Sequence, residues 1–170
     1  MYFQFWQRLF VQTNGLHIGG SYGKKTIIDG KSCILEVLFD TDRLDGYYRL
    51  GDQWIRDGDA FMLNYCITER SSFDRIRRYH NQISRVKELL ASSPSYLGSP
   101  MSGPCQQDCP LVLVGSNNDR VSEREVSTEE GYALAKELGC EFFEFSTKSC
   151  ISIEIPFYEI VRQLRSRQRL

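Results

Sequence analysis

Apolar positions along the chain recur at two distinct spacings. Residues 2–11 place Phe5, Leu9 and Phe10 at helical spacing, which predicts a short amphipathic helix. Residues 12–21 carry three glycines and read as a loop. The run KKTIIDGKSCILEVLF then sets two β-rich stretches on either side of Asp29-Gly30, a strong short hairpin signal. Residues 40–58 are polar and irregular, with a short helix expected around 50–56. Residues 60–68 (AFMLNYCIT) form a buried type of strand. Ser71 and Ser72 open a helix predicted to run to about Leu90, with Phe73, Ile76, Ile83, Val86 and Leu90 as its apolar stripe.

Residues 91–109 are rich in Pro, Gly and Ser and break the pattern as a flexible insertion. PLVLVGS returns as a continuous apolar strand, and CEFFEFS as another. Between them STEEGYALAKELG has Ser127 at a cap position, Glu130 three residues on, and Gly139 at the close. Residues 152–167 end the series as a helix whose last turns are rich in arginine, a favourable charge at a helix C-terminus. A hairpin followed by alternating strand and helix predicts an α/β fold, a mostly parallel sheet with helices on both faces. In such sheets ligands bind beyond the carboxyl ends of the strands. That rule selects residues 40–44, 116–119 and 146–148.

Composition narrows the function classes. A length of 170 residues fits one domain, with 41% hydrophobic and 25% charged residues and a net charge of −1. This balance disfavours a nucleic-acid partner, which usually shows as a strongly basic surface. No apolar run approaches membrane-helix length, and the aromatic start is broken by Gln4, Gln7 and Arg8, so an intracellular protein is the expectation. Cys33, Cys66 and Cys140 lie in apolar runs and are expected to be buried thiols. Cys105 and Cys109 frame CQQDC, but His17 and His80 are not placed to complete a zinc site.

The strand-end motifs carry a resemblance. LVLVGSNNDR resembles the Ras-family segment in which a strand ends in Asn-Lys-x-Asp, and EFFEFSTKS resembles the segment ending in Ser-Ala-Lys. QFWQRLFVQ, SYGKKTIIDGKSCILEVLFDT, DQWIRDGDAFMLNYCIT and SSFDRIRRYHNQISRVKE resemble, in order, the first helix, the hairpin, the post-switch helix with its strand, and the next helix of Ras. The insertion, with SSPSYLGSP, is similar to an extension in one branch of filamentous-fungal Ras proteins.

The resemblance implies a Ras-like P-loop NTPase fold, GTP/GDP and Mg²⁺ as ligands, and Ras-type effectors and regulators as partners. On the guanine side it implies Phe10, Ser116, Asn117, Asp119, Ser146, Thr147 and Lys148. Ser116 stands for the Asn and Asn117 for the Lys of the motif, while Asp119 keeps the carboxylate that accepts hydrogen bonds from guanine. On spacing alone Asp119 also reads as a turn residue and Phe10 as core packing. In the switch and effector region, His17 takes the place of the Mg²⁺-ligating Thr, Ile18 is retained, and Gly19 and Gly20 replace acidic effector contacts ahead of Ser21 and Tyr22. Asp40 matches the second-switch aspartate, a candidate Mg²⁺ contact that on the residues alone reads better as a strand-end aspartate. Arg43 replaces the switch Gly, and Leu44 occupies the position of the Gln that orients water, which a Leu side chain cannot do.

The family's Gly-x-x-x-x-Gly-Lys-Ser/Thr phosphate loop precedes the segment where this sequence begins, so poor nucleotide binding and impaired hydrolysis are expected. GGSYGKKT, Gly19 to Thr26, mimics that loop with the wrong spacing and leads into a hairpin. The family's first strand lies between the strands near 33–39 and 60–67. Without it two inner edges are expected either to close on each other or to recruit a strand from another chain, giving self-association. The Arg162, Arg165, Arg167, Arg169 cluster is read as a solvated helix end, and with no lipidation cysteine in RSRQRL a cytoplasmic location is expected, where family members sit at the inner face of the plasma membrane. Two alternatives remain open at this point: a non-catalytic pseudo-GTPase acting as an interaction module, and an intact GTPase whose true start lies upstream.

Overall fold

The structure, a computed structural model, describes residues 21–38, 48–92, 109–146 and 153–167. Strands β1 (Ser21–Ile28) and β2 (Lys31–Leu38) pair antiparallel from Ser21 opposite Leu38 to Ile28 opposite Lys31. Asp29 and Gly30 form the two-residue turn, with φ of 51° and 73°. Positive φ at both positions is what a type I′ hairpin turn requires, and Asp-Gly supplies it at low steric cost. Helix α1 (Tyr48–Asp57) precedes β3 (Phe61–Cys66). The single helix expected from 71 to 90 is two: α2 (Arg70–Asp74) and α3 (Ile76–Ser92), divided at Arg75. Strand β4 (Leu111–Ser116), a 3₁₀ turn at Val121–Glu123, α4 (Thr128–Leu138), β5 (Glu141–Phe145) and α5 (Glu154–Arg167) follow.

The parallel sheet runs β3-β4-β5 with β4 in the middle. Val112, Leu113 and Val114 are fully buried, because a central parallel strand is covered on both faces and has no polar side. Leu113 joins Leu63, Tyr65, Ile67, Phe73, Ile76, Val126, Leu134 and Ala135 in one core layer. Val112 and Val114 join Phe145, Ile153 and Phe157 in the other, against Leu35 and Val37 of β2 and Met62 of β3. Helix α4 begins as the sequence predicts: Ser127 accepts from the Glu130 N–H, the Glu130 carboxylate accepts from the Ser127 N–H, and Gly139 closes the helix in the left-handed region.

The hairpin and the parallel sheet share no ladder among the described residues, so β2 and β3 have not closed on each other. Helix α5 holds the two pieces together. Arg162 donates from Nε and Nη2 to the Asp29 carboxylate, each at 2.8 Å. Arg165 donates to the carbonyls of Ile28 at 2.7 Å and Lys31 at 3.1 Å. The arginine-rich helix end, read from sequence as a solvated cluster, thus clasps the hairpin turn at two of its arginines. The Arg162 guanidinium holds the Asp29 carboxyl below the usual carboxylate range.

Cys33, Cys66 and Cys140 are half-buried rather than buried: Cys33 lies on the hairpin, Cys66 ends β3, and Cys140 sits in the connection between α4 and β5. Burial still pushes the Cys140 thiol up to about 11. Among the described residues no helix is long and apolar enough to cross a membrane.

Tyr65 is the tightest point of the core. Its side chain is 1% exposed, packs edge-on to Phe73 at 4.9 Å between ring centres, and its hydroxyl has no hydrogen-bond partner among the described residues. A Cβ on Gly131 would fall 2.4 Å from that hydroxyl, so α4 reaches the sheet only because residue 131 has no side chain. A buried hydroxyl without a partner costs about 1–3 kcal/mol. Tyr65→Phe is therefore expected to raise unfolding free energy by about 1 kcal/mol, read from the urea midpoint at unchanged slope. A destabilised variant would show that the hydroxyl is satisfied.

Candidate functional site: the loop beyond the parallel strands

The parallel strands bring Cys66, Ser116 and Phe145 into register at their carboxyl ends, and the candidate site is built on the residues that follow. Ser116 ends β4, is buried, and donates its hydroxyl to the Tyr65 carbonyl at 2.8 Å. Asn117 has φ of 67°, in the left-handed region where Asn is several-fold enriched. Its side-chain amide donates to Cys66 Sγ at 3.0 Å. The chain then turns, with the Arg120 N–H donating to the Asn117 carbonyl at 3.0 Å and the Asn118 N–H to the Phe145 carbonyl at 3.2 Å.

Asp119 lies in that turn and is exposed. Ser146, 2% exposed at the end of β5, donates its hydroxyl to Asp119 Oδ1 at 2.6 Å. A short charge-assisted bond from a fixed, buried hydroxyl sets the plane of the carboxylate. The remaining lone pairs on its two oxygens can only accept. An acceptor-only group of that shape suits a ligand edge bearing two adjacent donors, such as N1–H and N2–H₂ of guanine.

The structure places Ser116, Asn117, Asp119 and Ser146 together at and just beyond the carboxyl ends of β4 and β5. Asp119 and Ser146 bond to each other, whereas Ser116 and Asn117 turn onto the end of β3. Phe10, His17, Ile18, Asp40, Leu44, Thr147 and Lys148 lie outside the described residues. Ser21 and Tyr22 open β1, and the lookalike phosphate-loop run continues through that strand to Thr26 rather than into a helix. No group of three or more His, Cys, Asp or Glu side chains converges on a metal position among the described residues. Sequence reasoning missed Tyr65, Cys66 and Thr68, because an apolar strand end gives no sign of which loop it will meet.

A second polar cluster stands behind the loop. Arg124 donates to both Glu144 oxygens at 2.8 and 2.9 Å and to the Val126 carbonyl at 3.1 Å. Thr128 adds a hydroxyl to Glu144 at 3.2 Å. This ties the segment after the loop to β5.

Residues 1–166 match the Ras family. The chain is 57% identical over 161 residues to Ras-like protein 1 of Pyricularia oryzae, covering 94% of this chain and 66% of that one. It is 51% identical over 166 residues to Ras-like protein B of Aspergillus fumigatus (94% and 69%), and 50% identical over 162 residues to Protein ras-2 of Neurospora crassa (94% and 70%). The chain therefore spans about two thirds of the length of these fungal relatives. Family match, identity and the strand-end geometry agree: this chain belongs to the Ras family, the small GTPases that bind GTP and GDP with Mg²⁺.

Proposed function

We propose that this chain is a guanine-nucleotide-binding signalling domain that reads the base through Asp119 and Ser146 but holds and hydrolyses nucleotide poorly. The observation that supports it is the 2.6 Å Ser146–Asp119 bond, which presents an acceptor pair at the strand ends. By family position Phe10, Thr147 and Lys148 would complete the base pocket, and Asp40 would contact Mg²⁺. Two features support weak retention. Ser116 and Asn117 spend their polar groups on β3 instead of the ligand side. His17, Arg43 and Leu44 stand where the family uses groups that bind Mg²⁺, allow the switch to move and orient water. Effectors and regulators would meet the region of His17 to Tyr22, with Gly19 and Gly20 weakening attraction to basic partners.

The inner edges of β2 and β3 lack a ladder partner among the described residues. Each backbone bond formed there would contribute about 1 kcal/mol, and strand edges pair readily with other chains. Self-association of the 170-residue chain through these edges is part of the proposal.

Both parts are tested on one purified preparation. Equilibrium dialysis with labelled GDP and ADP should show GDP retained more than about tenfold over ADP, with GTP turnover close to that in buffer. Size exclusion should show concentration-dependent association. Equal retention of the two bases would sink the base assignment, rapid turnover the hydrolysis assignment, and a concentration-independent monomer the edge assignment.

A further inference from the structure

The end of β3 and the loop carrying Asp119 are joined by more than the sheet ladder. The Ile67 N–H donates to the Ser116 carbonyl at 3.1 Å, beside the Ser116 hydroxyl bond to Tyr65. Asn117 Nδ2 lies 3.0 Å from Cys66 Sγ, and the same sulfur is 3.1 Å from Thr68 Oγ1. The Cys66 backbone is itself held, its N–H donating to Ser72 Oγ at 3.0 Å. The sulfur is therefore a fixed acceptor for the Asn117 amide.

We infer that Cys66 is a positioning residue for nucleotide binding: its sulfur fixes Asn117, and through Asn117 the turn that carries Asp119. This rests on the reading of Asp119 as the base contact. The route is short. The Asn117 carbonyl accepts the Arg120 N–H, so the turn closes around Asp119, and the Asn118 N–H is anchored on Phe145, next to Ser146. Releasing the Asn117 side chain loosens one of the two anchors that set the carboxylate. Sulfur is a weak acceptor, so the effect on global stability is small. The effect on binding is larger, because a pre-ordered loop avoids an ordering cost when ligand arrives.

The test compares the dissociation rate of a fluorescent GDP from the full chain and from Cys66→Ala, Cys66→Ser, Asn117→Gly and the Cys66→Ala/Asn117→Gly double variant. Glycine removes the side chain without a penalty at positive φ. Cys66→Ala and Asn117→Gly should each speed release about threefold, the scale of one weak hydrogen bond. The double variant should release no faster than either single one, and Cys66→Ser, which keeps an acceptor, should stay near the parent. The preference for guanine over hypoxanthine nucleotides should fall in Cys66→Ala, a change that general loosening of the fold does not produce. Thermal midpoints identify any variant that has unfolded, and the Cys66→Ser and Asn117→Gly pair then carries the comparison. Multiplicative effects in the double variant, or an unchanged base preference, would overturn the role of Cys66 alone. Absence of guanine-nucleotide binding by the parent chain would overturn the base reading and this inference with it.

Discussion

Asp119→Asn is expected to reverse the base preference of the site. The parent carboxylate offers only acceptors, and Ser146 uses one lone pair of Oδ1 at 2.6 Å. On the proposed role of Asp119 as the base contact, the remaining lone pairs match the two donors of guanine. In the D119N variant the serine bond keeps the side-chain carbonyl oxygen on its side, which places the new amide NH₂ toward the base. That NH₂ opposes the guanine N2 amino group, donor against donor, while the carbonyl of xanthine at the same position accepts from it. Sites built on a specific hydrogen-bond pattern reject the mismatched partner by about 10⁴-fold at the upper end. This site is exposed, so a loss of about 10²-fold for GDP and a gain for XDP are expected in competition dialysis. Equal loss of both nucleotides would mean that Asp119 organises the loop without reading the base. Ser146→Ala supplies the internal control, since it frees the carboxylate without changing its acceptors and should weaken GDP with no gain for XDP.

Arg124→Ala is expected to be the most destabilising charge removal in the described structure. Arg124 and Glu144 have side chains only 20% and 12% exposed, and the pair is bidentate at 2.8 and 2.9 Å. Alanine leaves the Glu144 carboxylate in a half-dry site with one hydroxyl, from Thr128, as its partner. An uncompensated buried charge costs about 3–5 kcal/mol, and the residual solvent access here puts the expected loss near ~3 kcal/mol. Arg77 and Glu137 provide the contrast. Their bonds are equally short, at 2.6 and 3.1 Å, but the side chains are 52% and 54% exposed. Water replaces the lost partner there, so Arg77→Ala should cost about 0–1 kcal/mol. Denaturant unfolding of the two variants decides the matter: similar losses would show that geometry, not burial, sets the value of these pairs. Adding Glu144→Gln to Arg124→Ala should recover more than half of the loss, because it removes the charge that was left unpaired.

Several elements were legible because their causes are local. Asp29-Gly30 makes its turn through backbone preferences of two adjacent residues. Ser127 and Glu130 cap α4 through a three-residue reciprocal contact. The unbroken apolar run of β4 announces a strand covered on both faces. Asp119 and Ser146 were singled out as candidates by their place just beyond two strands and by likeness to Ras motifs. The division of the long helix at Arg75 was not, since the apolar stripe continues across it.

What the sequence by itself determined is the set of elements, their order and the strand ends on which a ligand would sit. Hydrophobic period, turn residues and caps act over a few positions and leave their mark in the sequence. Only the tertiary structure decided that Arg162 and Arg165 clasp a hairpin more than a hundred residues away, that Tyr65 buries a hydroxyl with no partner among the described residues, and that Asn117 turns to Cys66. Those outcomes depend on which distant groups arrive within about 3 Å of one another. A polar side chain takes whichever partner the packing brings to it, and no local pattern records that choice.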